Sequence, residues 1–426
     1  MSDDFQGARA KAGDTLLIYA PVPLHRAGGR PDGALTLEGQ ACNGLRLWAE
    51  NFARVISMMP LAEGPPPPDW VPLTEVGPSL ERIRIEPMPV AWRPDRFLRA
   101  LPAARRRIRA LIDEADYLSF SIGGLFGDWG SVACVEARRM GRPYAVWTDR
   151  VESEVVRRSA GAGPWRARLR ARLTHRPMAA LERALIRRAD LGLFHGRETY
   201  ATYAPFCRRP EVVHDIHIAA ADHIAPEALA AKTAAAAEGP LRIVYVGRAD
   251  PMKGPLDWVA ALAGLAARGV DFRATWLGDG TERAAMRREI AAAGLDERVS
   301  TPGFAADRGA VLEALRAAHV FLFCHKTPES PRCLIEALIS GTPIVGYDGA
   351  FARDLIADHG GGRLAPLNDA AALTEILAQL AADRPALAEL FARAARDGAP
   401  FDDVSVFRHR SELIRAGLPP RRSAAQ

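Results

Sequence analysis

Between Thr327 and Asp348 the chain reads TPESPRCLIEALISGTPIVGYD, and the spacing predicts a loop, a helix and a strand. Glu336 falls inside the helix, among Leu334, Ile335, Leu338 and Ile339. A charged group directed into a packed layer is costly unless something hydrogen-bonds it. Ser330 is a good N-cap, and Pro331 suits the first helical position. Gly341 ends the helix and Pro343 prevents its continuation. A helix N-terminus attracts anions through its free N–H groups and the positive end of its dipole. Glu336, almost two turns in, either accepts two hydrogen bonds from a vicinal diol such as a ribose or is an ordinary glutamate on the helix flank.

A second stretch, VGRADPMKG at 246–254, sets Arg248 and Lys253 just after an apolar run. Arg grips phosphate with a planar fork, and Lys acts as a compact charge. Taken singly, each reads as a solvated loop cation as readily as a ligand. Two cations, a helix N-terminus and a diol acceptor together describe a nucleoside diphosphate site. His325 and Lys326 end another apolar run and could reach the same ligand. The sequence contains no Asp-x-Asp pair to hold a divalent cation on such a ligand, so no metal is expected. His214 and His217, three apart in a predicted strand, point to opposite faces and make a poor metal pair.

These residues need a scaffold, and the second half supplies a regular one. Apolar runs at 242–247, 273–278, 299–304, 320–325 and 343–348, with a short GRLAP segment, alternate with helical patterns. Such alternation implies a parallel, doubly wound sheet, and continuously apolar strands fit burial on both faces. The first half alternates too, with candidate strands at 15–21, 54–60, 83–89, 117–123, 143–149, 191–196 and 212–218. The Ala-rich stretch 221–240, closed by Gly-Pro, reads as a linker. The expected organisation is a first domain over 1–220, the linker over 221–240 and a second domain over 241–395. A C-terminal helix within 396–426 is expected to return toward the first domain and to end in a disordered tail. In α/β sheets of this kind ligands bind beyond the carboxyl ends of the strands.

Composition agrees with a folded α/β protein and removes other classes. At 426 residues the chain exceeds one ordinary core. It is 48% hydrophobic and 25% charged, with a mean hydropathy of −0.07. No run of eighteen apolar residues suggests a membrane span. The first residues, MSDDFQGARAKAGD, are polar and acidic, so a cytoplasmic location is expected. Five cysteines without Cys-x-x-Cys spacing argue against a disulfide framework or a zinc site.

The succession of VGRADPMKG, WLGDGTER, VSTPGF and AAHVFLFCHKTPESPRCLIEALISGTPIVGYD resembles the donor domain of family-4 retaining glycosyltransferases, group 1 type. The resemblance covers roughly residues 241–395 and implies the GT-B fold: two Rossmann-like domains facing a central cleft. It implies that Arg248 and Lys253 bind the donor diphosphate and that Glu336 holds the ribose. Glu329 would contact the sugar, although the family spacing E-x7-E is E-x6-E here, with Pro328 where the first Glu is expected. Ser330, Arg332 and Cys333 at the helix start, and His325, join the donor site by the same reading. Gly303 and Phe304 would lie by the nucleobase, mainly through backbone groups. Gly28 and Gly29, in PLHRAGGRPDG, resemble the glycine-rich loop that faces the donor phosphates, or form an ordinary flexible loop. Asp149 stands where many relatives place a histidine near the reacting sugar. SIGGLFGDW at 121–129 is expected to line the acceptor side.

The implied activity is transfer of a sugar from a UDP-, GDP- or ADP-sugar to a polysaccharide or lipid-linked saccharide, with retention and without a cofactor. A sugar-nucleotide 2-epimerase of the same plan and a non-catalytic nucleotide-sugar scaffold are the alternatives. One segment remains apart. Residues 157–188 hold ten Arg against one Glu, and Trp165, Leu169 and Leu173 recur every four residues. Either this is a surface helix packed by its apolar stripe, or it lies on an anionic membrane at the inner face. Nucleic acid is disfavoured because aromatic interleaving is sparse.

Overall fold

The computed structural model describes residues 14–29, 33–67, 70–159, 165–305, 307–327 and 331–421. The contacts divide the chain into two units, Met1–His217 with Asp403–Gln426, and Ile218–Asp402.

In the first unit the main sheet has seven strands. They are β1 (Thr15–Tyr19), β2 (Arg54–Leu61), β3 (Ile83–Pro89), β4 (Tyr117–Ser121), β5 (Ala145–Thr148), β6 (Leu191–His195) and β7 (Pro210–Val213). Their order is β7-β6-β5-β4-β1-β2-β3, and every pairing is parallel. The central strands are buried along their length, as layers of helix on both faces require. Three helices matter below: α1 (Gly39–Asn51), α2 (Trp129–Arg139) and α3 (Trp165–Ile186). Leu17, Ile56, Ile108, Leu118, Phe120 and Trp129 belong to the core.

The second unit repeats the principle with six parallel strands. These are β8 (Leu241–Val246), β9 (Phe272–Leu277), β10 (Val299–Gly303), β11 (Val320–Phe323), β12 (Ile344–Tyr347) and β13 (Gly362–Ala365). Their order is β10-β9-β8-β11-β12-β13. The order reverses between β8 and β11, the place where such sheets open a ligand crevice. Helices α4 (Pro226–Ala234), α5 (Arg308–Ala317), α6 (Arg332–Ile339) and α7 (Arg384–Gly398) pack around it. A last helix, α8 (Asp403–Gly417), belongs to the first unit. There Phe407 stacks edge-on to Trp48 of α1, and Asn43 donates to Asp403 at 2.8 Å.

Three expectations are corrected. The stretch 221–240 is no loose linker. It forms α4 and short helical turns inside the second unit, where Lys232 donates to Thr342 at 2.5 Å and stands over the Phe391 ring. Strand β7 ends at Val213, so His214 and His217 are not strand residues. The Asp215 N–H turns to His195 Nδ1 instead of a ladder partner. At α6, Pro331 is the N-cap and Arg332 the first helical residue, one position later than the spacing predicts. Glu329, Ser330 and the tail beyond residue 421 lie outside the described residues.

Candidate functional site

The loops after β8 and β9 are locked together by backbone. Ala249 N–H donates to the Asp279 carbonyl at 2.9 Å, and Glu282 N–H donates to the Ala249 carbonyl at 2.7 Å. A Cβ on Gly278 would come within 2.0 Å of the Gly247 carbonyl oxygen, and its φ of 151° already disfavours a side chain. Only glycine permits this approach. The Asp250 carboxylate accepts from the Thr281 N–H at 3.1 Å and pairs with Arg248 at 3.2 Å. The Thr281 hydrogen bond, ahead of the neighbouring cations Arg248 and Lys253, holds the Asp250 carboxyl below the usual range. Asp250 thereby holds Arg248 by its guanidinium, through Nη1, while the side chain stays exposed.

A cavity of about 620 Å³ opens at this edge. The ends of β8 and β9 form one wall, including Arg248, Asp279 and Thr281, and Phe304, Ala305 and Val311 form the other. Phe304 is 75% exposed. Its N–H donates to Asp279 Oδ2 at 3.2 Å, and its ring lines the cavity. A Cβ on Gly303 would come within 3.0 Å of the Arg283 guanidinium, which donates to the Thr301 carbonyl.

The other described residues assigned to the donor from sequence precede or begin α6. His325 is buried and hydrogen-bonded to Tyr245 at 2.8 Å. Burial, with the neighbouring Lys253 charge, pushes its imidazole down to about 3. It is therefore a neutral group at physiological pH. Arg332 is half exposed, with its Nε 3.6 Å from Glu336 Oε1, and the Cys333 thiol is half-buried. Gly254, with φ of 64°, starts the helix after Lys253. A Cβ there would strike the Cys324 carbonyl, so Lys253 is pinned against the end of β11.

Glu336 is 7% exposed, and its principal partner is Arg308. The Arg308 Nη1 donates to Glu336 Oε1 at 2.9 Å, and Nη2 donates to Asp222 at 2.7 Å. Sequence reasoning missed both partners. One signal was available: Arg308 follows the Asp307 N-cap at the start of α5, where the dipole disfavours a cation. An arginine there needs carboxylates to offset the field.

Asp149 lies in the other unit, exposed at the end of β5. It lines a cavity of about 270 Å³ with Glu38, Ser121, Asp215, His217 and Arg410 among others. Arg410 reaches in from α8 and donates to Asp215 at 2.8 Å. Trp48, Trp147 and Phe407 enclose its guanidinium at 4.9–5.1 Å from their ring centroids. Gly28 and Gly29 take φ near 65° in a tight turn and line neither cavity. In the loop at 121–129, Gly123 and Gly124 give their N–H groups to Asp128, the N-cap of α2. They are spent on local structure, and Ser121 is what the loop contributes to the cavity.

Residues 229–398 match the family of glycosyl transferases group 1. The chain is 33% identical over 216 residues to the 2-deoxystreptamine N-acetyl-D-glucosaminyltransferase of Streptomyces fradiae, across 48% of this chain and 50% of that one. It is 29% identical over 198 residues to the amylovoran biosynthesis glycosyltransferase AmsK of Erwinia amylovora, across 45% of this chain and 48% of that one. The chain thus spans about half the length of the curated relatives it matches. Among solved structures, Anabaena HepE in complex with UDP superposes with a TM-score of 0.62 at 17% identity, over 95% of this chain and 100% of that one. The fold is GT-B, and the second unit carries the match to the group 1 glycosyl transferases.

Proposed function

We propose that this chain transfers a sugar from a nucleoside diphosphate sugar to a saccharide hydroxyl, with retention at the anomeric carbon. The observation that carries this reading is the 620 Å³ cavity with Arg248 and Phe304 at the carboxyl ends of three neighbouring strands. It falls within the segment that matches the group 1 family. The diphosphate lies by Arg248, Lys253 and the N-terminus of α6. Glu336 takes the ribose hydroxyls, and the Phe304 ring lies by the base. His325, kept neutral by burial, contributes a hydrogen bond rather than a charge. Glu329 and Ser330 precede α6 in sequence, and the sugar contact is assigned to Glu329.

In the reaction the bond from the anomeric carbon to the diphosphate oxygen breaks. The acceptor oxygen bonds the same face of that carbon, and its proton passes to the departing diphosphate. Negative charge grows on the leaving group, where preorganised cations are most effective. No cofactor or divalent metal is assigned, because Arg248, Lys253 and the helix dipole supply the positive field. Asp149 faces the acceptor.

The relatives favour two acceptor classes. AmsK acts in the biosynthesis of amylovoran, which supports a growing or lipid-linked saccharide. The Streptomyces fradiae relative is named for 2-deoxystreptamine, and Glu38, Asp149 and Asp215 give the first-unit cavity more carboxylates than Arg410 balances. That excess suits a cationic amino-cyclitol. The test is thermal shift with UDP-, GDP- and ADP-sugars, followed by transfer assays in EDTA with neutral and amine-bearing acceptors. One donor should raise the melting temperature, and the product should keep the donor's anomeric configuration. No nucleotide stabilisation, an inverted product, or activity abolished by EDTA and restored by magnesium overturns the reading.

A further inference from the structure

Helix α3 carries two apolar faces, and only one is used by the fold. At 3.6 residues per turn, Trp165, Leu169 and Leu173 fall within an arc of about 80°. They are 68%, 49% and 66% exposed. Ala171, Met178 and Leu185 are buried, and they lie on the other side of the helix. The packed face is also pinned by Glu182. Its carboxylate accepts from the Ser153 hydroxyl at 2.6 Å and the Tyr203 hydroxyl at 2.9 Å. Among the described residues nothing covers the outward stripe, against one of the two readings of the sequence.

Charge follows the same division. Arg168 and Arg172 border the outward stripe on one side, and Arg166 and Arg170 border it on the other. Each of these arginines is exposed. Glu182 is the one acidic residue within 165–186, and it is buried on the opposite face. No negative charge of the helix offsets the outward arginines. Arg166 also stands over the Trp165 ring at 5.4 Å.

An exposed tryptophan and two leucines rimmed by cations fit the boundary between headgroups and acyl chains. We infer that this face of α3 docks the chain on an anionic lipid surface. The helix lies along the surface, with Trp165, Leu169 and Leu173 entering the acyl boundary and the four arginines meeting the headgroup phosphates. No helix among the described residues is long and apolar enough to cross a membrane, so the attachment is peripheral at this site. The inference is independent of the chemistry assigned to the second unit.

Cosedimentation of the full chain with vesicles tests it. Vesicles of phosphatidylglycerol and phosphatidylcholine should retain the protein, pure phosphatidylcholine should not, and retention should fall as salt screens the charges. Replacing Arg166, Arg168, Arg170 and Arg172 by Gln should lower the partition coefficient on the order of a hundredfold or more. Leu173→Glu, at an exposed position, should lower it with thermal stability unchanged. Equal binding to neutral vesicles, no binding to either, or full binding by the Gln variant overturns the inference. Self-association in solution that Leu173→Glu abolishes, without vesicle binding, overturns it in favour of a second copy of the chain.

Discussion

The two cavities are built by opposite means. In the second unit the site rests on backbone: the Gly247–Gly278 approach and the Ala249–Asp279 and Glu282–Ala249 hydrogen bonds hold the loops, and Arg248 projects from them. In the first unit the cavity rests on side chains distant in sequence, above all Arg410 with Asp215 inside a box of aromatic rings. Backbone constraints leave local signatures such as GDG and KGP. A side-chain box leaves none. The first arrangement suits a ligand with an invariant part, such as a diphosphate. The second can be rebuilt for another ligand without changing the sheet.

The sharpest test of the contrast is Arg410→Ala. It leaves Asp215 without its buried partner and opens space among three aromatic rings. Asp215 is 33% exposed, so the loss should fall below about 3–5 kcal/mol, the cost typical of breaking a fully buried pair. Denaturation of the variant should show that loss, while nucleotide affinity in the native state stays unchanged. Weakened nucleotide binding would mean the two cavities are not separable in this way.

Lys253→Ala comes next. If Lys253 stabilises charge on the leaving diphosphate, turnover should fall by roughly a hundred- to a thousand-fold, with a smaller change in the Michaelis constant. A raised Michaelis constant with normal turnover would reduce Lys253 to a docking residue.

Glu336→Gln should weaken nucleotide binding by about 1.5–3 kcal/mol, the usual loss for a hydrogen bond to a charged group. Calorimetry with the nucleoside diphosphate measures it. Unchanged affinity in a folded variant would leave Glu336 as the structural partner of Arg308 and nothing more.

The smallest effect concerns His325. Burial lowers its folded pKa from the ordinary 6.5 to about 3, so the folded state resists protonation. Its neutral form contributes stability that is complete above pH 6.5. That contribution is lost as pH falls from 6.5 toward 3, because the unfolded chain binds the proton first. His325→Gln should therefore flatten the decline of melting temperature over that range. His214 and His319, lowered in the same direction by burial, leave part of the slope in place. An identical slope in the variant would contradict the assignment.

Both sheets were legible because continuous apolar runs between turns are what a buried parallel strand requires. The failures share a cause. Residues 212–218 alternate like a strand, but the Asp215 N–H finds a histidine ring, which no period reveals. The stretch 221–240 reads as a linker by its alanines, yet alanine is also the best helix former, and Leu229 finds room beside Gly341. At the candidate site Arg248 and Glu336 were singled out through spacing after strands. Arg308 and Asp222 were not, because their pairing joins positions 86 residues apart.

The Gly247–Gly278 contact also bears on how such a chain can change over generations. The loop after β9 cannot take up a side chain at Gly278 without striking the Gly247 carbonyl, so it cannot drift there without displacing the loop after β8. The opposite wall, Phe304, Ala305 and Val311, is made of side chains and carries no such restriction. On the proposed reading, selection for a different base would leave the phosphate end untouched and be recorded in that wall. Divergence among descendants should therefore concentrate at 304–311, with glycine retained at 278.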